Sequence, residues 1–165
     1  MAGFLRNLIA LLLAAFAPRA TDALPRTACH FWITPWDTGF RIAKSDRYFQ
    51  IAEAAQADYL VKTRLLATLV RSGIAFVNLS QLVRFQRPVA MFSRVRVETC
   101  VIHADDKCAY FSHAFLVDSV PHAQVLVKMK FKKGSLTLPP AQFVGAGFGD
   151  KPAHLAAWDR SLEAM

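Results

Sequence analysis

The sequence lacks most of the features that would assign it at a glance. Its 165 residues hold three cysteines, Cys29, Cys100 and Cys108, with no C-x-x-C pair and no Cys/His set at zinc-ligand spacing, which argues against a structural metal or a disulfide framework. A hairpin turn at Asp105-Asp106 would set Cys108 near His103 and Cys100 near Phe111, so these thiols are expected to stay unpaired, as in a reduced, cytoplasmic chain. His30, His103, His113, His122 and His154 show no metal-ligand spacing, and Ser80, Ser93 and Ser112 lack the G-x-S-x-G elbow of a serine hydrolase. No metal and no cofactor is expected. A bilayer-spanning helix needs roughly 20 apolar residues, and the run Leu8 to Ala17 falls well short. That run suits a signal-peptide core, with Ala15-Phe16-Ala17 as a small-x-small site, but Pro18 disfavours cleavage. A buried or membrane-surface N-terminal helix remains. Acidic residues are also scarce, 12 against 20 Lys and Arg, a formal charge of +8 that favours an anionic partner.

What is present reads as one domain of the α+β class. Ala28 to Thr34 alternates as a strand, with Phe31 and Ile33 on one face. Asp46 to Leu60 reads as a long helix, because Tyr48, Ile51, Ala52, Ala55 and Tyr59 recur at helical spacing, and Ser45 is placed to cap it. A shorter helix, Thr63 to Val70, stops at Ser72-Gly73. After Gly73 the period becomes two: Ile74 to Phe85, Met91 to Ile102, Cys108 to Val117 and Ala123 to Lys133 read as an antiparallel meander. Its apolar face needs a cover, so the long helix is expected to lie across it. Gly145 to Gly149 is a joint before a terminal helix, Pro152 to Glu163, with a seam of Leu155, Trp158 and Leu162. The chain thus divides into residues 1–27, an apolar helix or membrane-surface segment, 28–144, the main domain, and 145–165, joint and terminal helix.

Chemistry concentrates at Pro35-Trp36-Asp37-Thr38-Gly39, where a strand ends just ahead of the long helix. Three local patterns there and beyond resemble the hot-dog fold, specifically the 4-hydroxybenzoyl-CoA thioesterase-like superfamily. Asp37-Thr38-Gly39 resembles that family's D-x-D turn. Arg47-Tyr48-Phe49 followed by Glu53 resembles its helix start. Arg84-Phe85-Gln86-Arg87-Pro88, continuing to Ser93-Arg94-Val95-Arg96-Val97-Glu98-Thr99, resembles its strand, R-P corner and next strand. The resemblance covers about Cys29 to Val144. It implies an antiparallel sheet wrapped around one long helix, here with extra N- and C-terminal helices, and hydrolysis of an acyl thioester to a carboxylic acid and CoA. It also implies a homodimer or dimer of dimers formed through the helix and sheet, with an acyl tunnel between them. The departures lie in the motif: Gly39 stands at the second Asp position, and Arg41 to Ser45 replace G-H-x-N-N.

Asp37 is therefore the candidate carboxylate, as nucleophile or as base toward water, with capping of its own turn as the alternative. Glu53 is the second candidate, although it falls with Gln50 and Ala57, away from the apolar stripe. The first-turn N–H groups of the helix, at Ser45 and Asp46, offer an oxyanion hole, and Tyr48 opens the stripe beside them. Arg84, Arg87, Lys128 and Lys130 are candidate clamps for the CoA phosphates, or else a solvated strand face. Nucleic-acid binding is not expected, because the aromatics take the buried-looking positions of the strands. A non-catalytic module that binds acyl-CoA or lipid, at a membrane through residues 8–17 and the basic surface, is the other function class.

Overall fold

In the computed structural model, which describes residues 25–145 and 148–165, the chain runs β1 (Thr27–Trp32), a 3-10 turn (Pro35–Asp37), α1 (Ser45–Lys62), α2 (Leu65–Arg71), β2 (Ala75–Phe85), β3 (Arg94–Ala104), β4 (Ala109–Val117), β5 (Val120–Lys133), β6 (Leu136–Leu138), α3 (Ala141–Val144) and α4 (Ala153–Glu163). The expected N-terminal helix falls ahead of Pro25, outside the described residues. The strands form one antiparallel sheet in the order β1-β3-β4-β5-β2, with β6 added beside β5.

Alternation builds the inner face. Val95, Val97 and Val101 of β3, Phe111 and Phe115 of β4, and Val125, Val127, Met129 and Phe131 of β5 are buried against α1. Three small residues of α1, Ala52, Ala54 and Ala55, are fully buried, so the sheet curls closely around the helix with no gap to fill. Edge-on aromatic contacts fix the helix along its length: Tyr48 to Phe85 at 5.1 Å and Tyr59 to Phe111 at 5.5 Å, geometries that suit the ring quadrupoles. This is the curled sheet and central helix that the hot-dog resemblance implies.

Several local expectations need correction. The helix N-cap is Lys44, and Ser45 is already helical; no side chain caps this end. Asp58 is buried and pairs with Lys62 at 2.8 Å, while Lys62 also donates to the Ala28 carbonyl at 2.9 Å. The alternation of α1 cannot reveal this, because β1 crosses that flank of the helix. A bulge between Val101 and His103 shifts the β3–β4 register, so Cys100 lies opposite Ser112 and His103 opposite Tyr110. Cys29, Cys100 and Cys108 are all free. The terminal helix α4 packs on the outer face of the sheet, where Leu155 and Trp158 close a second, smaller core with Cys108, Tyr110 and Leu126.

Candidate functional site

The turn ahead of α1 is organised by Thr34-Pro35-Trp36-Asp37. Thr34 donates from its backbone N–H to Asp37 Oδ2 at 3.0 Å and from its hydroxyl to the same oxygen at 2.7 Å. The Asp37 N–H donates back to the Thr34 carbonyl at 2.9 Å. This reciprocal pairing is a capping box. Asp37 is wholly buried, and both bonds help to satisfy its carboxylate there. Thr34 escaped attention at the sequence level, although its T-x-x-D spacing is the signal for such a box.

The turn is tied to the helix. Lys44 donates its N–H to the Asp37 carbonyl at 2.9 Å, and Ala43 donates to Val89 at 2.9 Å. Directly beyond, the N–H groups of Ser45 and Asp46 have no acceptor within α1 and carry the positive end of its dipole. Asp37, Ser45, Asp46 and Tyr48 are thus brought to one end of the sheet. Arg87 joins them through the loop after β2, where its N–H bonds to the His122 carbonyl at 2.9 Å. Arg84 precedes it on β2, and both arginines are exposed.

Other candidates lie elsewhere. Glu53 is exposed on the outer flank of α1. Ala123 pairs with Phe85 at the site's end of the sheet, and Lys128 and Lys130 stand further along β5, on the order of 17 and 23 Å away at about 3.3 Å per residue. Lys128 is engaged by Asp159 of α4 at 2.7 Å, a partner remote in sequence that strand alternation cannot announce. Within one chain these two lysines and Asp37 do not share a site.

The expected acyl tunnel between helix and sheet is closed among the described residues. Ile33, Ala43, Tyr48, Ile51, Val89, Val95 and Phe115 meet there with no room for a water molecule. Burial pushes the Tyr48 phenol up, partly offset by its bond to the Val89 backbone, so Tyr48 serves as packing at pH 7. Burial also raises the thiols of Cys29, Cys100 and Cys108, which argues against a thiolate nucleophile. Among the described residues no three His, Cys, Asp or Glu side chains gather as a metal site. What the turn supplies is a buried carboxylate beside helix-end N–H groups that have no acceptor within α1, the two groups that addition to a polarised carbonyl requires.

Comparison with known proteins agrees with the architecture. A gentisyl-coenzyme A thioesterase structure superposes with a TM-score of 0.61 at 20% identity, covering 75% of this chain and 100% of that one. The YbaW probable thioesterase from Escherichia coli gives 0.66 at 14% identity, with 72% and 96% covered. A variant of 4-hydroxybenzoyl CoA thioesterase complexed with 4-hydroxybenzoyl CoA gives 0.64 at 16% identity, again with 72% and 96% covered. No curated protein is similar enough in sequence to count as a match. The profile of the thioesterase-like superfamily matches residues 34–144, from the capping threonine to the end of α3, and the chain belongs to that superfamily.

Proposed function

We propose that the protein hydrolyses an acyl-CoA thioester to a carboxylic acid and CoA. The observation that carries this reading is the attachment of Asp37 to the N-terminus of α1 through the 2.9 Å bond from Lys44. Asp37 acts on the thioester carbonyl, directly or through water, while the N–H groups of Ser45 and Asp46 receive the developing oxyanion. Arg84 and Arg87 supply cations for the CoA phosphates at the same end. Glu53 stands as the second carboxylate, facing outward where a neighbouring subunit would meet it.

A homodimer supports this arrangement. β2 is an edge strand of eleven residues that exposes Phe76, Val77, Leu79, Leu82 and Phe85, a row that pairing with a second copy would cover. A second copy on this edge would also give the acyl group the apolar wall that the closed helix–sheet space does not. The free thiols suit a cytoplasmic setting, and no helix of the described residues is long and apolar enough to cross a membrane.

The test is thiol release from acyl-CoAs of graded chain length. Asp37→Asn is expected to cost about 10²–10⁴ in kcat/KM and Glu53→Gln much less; full turnover in Asp37→Asn overturns the mechanism. One observation favours a second reading, binding of acyl-CoA or lipid without catalysis: Thr34 already occupies Asp37 Oδ2 twice, and Gly39 offers no second acid. Saturable binding with no thiol release from any substrate would select it.

A further inference from the structure

One corner of the molecule exposes its aromatics. Trp36 is 78% exposed, Phe40 88%, Trp32 64% and Phe92 66%, with Ile42 at 51% beside them. The backbone gathers them: Trp32 pairs with Arg94, Phe92 donates to Ile33 at 2.8 Å, Met91 to Arg41 at 2.9 Å and Gly39 to Ile42 at 3.1 Å, and Ile42 bridges Ala90. Phe92 is held at φ +65°, a left-handed conformation that a bulky residue rarely adopts. Residues held in such conformations cluster at functional sites. Trp32 at the end of β1 together with Trp36, Phe40 and Phe92 in the turns beyond the strands exceeds the scattered single exposures of an ordinary surface.

The rim is cationic. Arg41, Lys44, Arg87 and Arg94 are exposed at the same corner, and among the described residues no acid forms an ion pair with any of them. Asp37 is buried and Asp46 faces Arg47 at 3.4 Å. We propose that this corner docks on a bilayer containing anionic phospholipid, with Trp36, Phe40 and Phe92 entering the headgroup boundary and Arg41, Lys44 and Arg94 meeting the lipid phosphates. Tryptophan and phenylalanine backed by Lys and Arg is the chemistry of interfacial membrane contact. A second copy across a two-fold axis would set the cationic rims against each other. Single-stranded nucleic acid is bound along a groove or flat platform of aromatics, whereas Trp36, Phe40 and Phe92 stand on turns. Docking would hold the Asp37 turn, between Trp36 and Phe40, against the lipid surface. The inference concerns membrane contact alone and does not depend on hydrolysis.

The test uses the full chain with vesicles of phosphatidylcholine alone, with phosphatidylserine added, and with brominated acyl chains. Because Leu8 to Ala17 is also present, the deciding readout is tryptophan quenching rather than binding alone. Expected are co-sedimentation with the anionic vesicles, quenching by brominated lipid that disappears in Trp32→Phe/Trp36→Phe, and about tenfold weaker partitioning in Arg41→Glu/Arg94→Glu. Trp158, buried under α4, serves as the internal reference. Any of three results overturns the proposal: unquenched Trp32 and Trp36 on sedimented vesicles, loss of self-association without lipid in Trp36→Ser/Phe40→Ser, or a single-stranded oligonucleotide bound more tightly than anionic vesicles. Melting temperatures equal to wild type show that the surface variants fold.

Discussion

His113 is enclosed on every side. Its Nδ1 lies 2.9 Å from the Thr99 hydroxyl, its ring stacks on Phe111, and Nε2 has no hydrogen-bond partner among the described residues. Burial lowers its pKa to about 3. The imidazole is therefore neutral in the fold, while the unfolded chain binds a proton below about 6.5. Stability from this group is complete above that value and declines as pH falls from 6.5 toward 3, by about 1.4 kcal/mol per pH unit. Urea midpoints at pH 7 and pH 5 should show that slope, and His113→Leu should flatten it; a variant with the wild-type slope would reject the assignment. The absolute stability of the variant also carries the Thr99 hydroxyl left without its partner, a loss of about 1 kcal/mol. The sequence shows His113 only as one strand histidine among others, because its enclosure depends on α1 crossing the sheet. Asp37 could be singled out for the opposite reason: the turn that carries it, Pro35-Trp36-Asp37-Thr38-Gly39, is contiguous in the sequence.

At the scale of elements, α4 is held by a compact ionic cluster. Lys151 bonds Asp105 at 2.6 Å and Asp159 at 2.7 Å, Lys128 bonds Asp159 at 2.7 Å, and the Tyr110 hydroxyl donates to Asp159 at 2.6 Å. Burial alone would raise the Asp159 pKa, but the bonds from Lys128, Lys151 and Tyr110 outweigh it and hold the carboxyl at about 2. Its contribution is present above the unfolded value near 3.9 and is lost as pH falls from there toward 2. Asp159→Asn should cost about 2 kcal/mol at pH 7, and hydrogen exchange of α4 amides should rise before that of β4 and β5; equal exchange throughout would mean that the cluster does not hold the helix. The strands, α1 and α4 were legible because their apolar periods are local. The cluster was not, since Asp105 lies in the β3–β4 turn, Lys128 on β5, Lys151 ahead of α4 and Asp159 within it. The short β6 and α3 were missed because three and four residues carry too little period to read.

Among the described residues β2 forms a long edge of the sheet, paired only with β5. Pairing of β2 with its copy should give a homodimer by sedimentation equilibrium, and Val77→Lys/Leu82→Lys, which places charge along that edge, should give a folded monomer. A wild-type monomer at micromolar concentration would remove the dimer. Architecture was legible in the sequence because one amphipathic helix and one alternating sheet leave few ways to pair. The site was legible only in part, since the end of the sheet is assembled from β1, the α1 entry and the loop after β2. A last consequence follows from the extra residue in β3 between Val101 and His103. Upstream of it the strand serves α1 alone; the extra residue itself, Ile102, packs under α4, and Ala104 returns to the α1 side. One unpaired residue lets a single ribbon belong to two interiors. Deleting it would restore the regular ladder and leave the C-terminal helix without part of its floor.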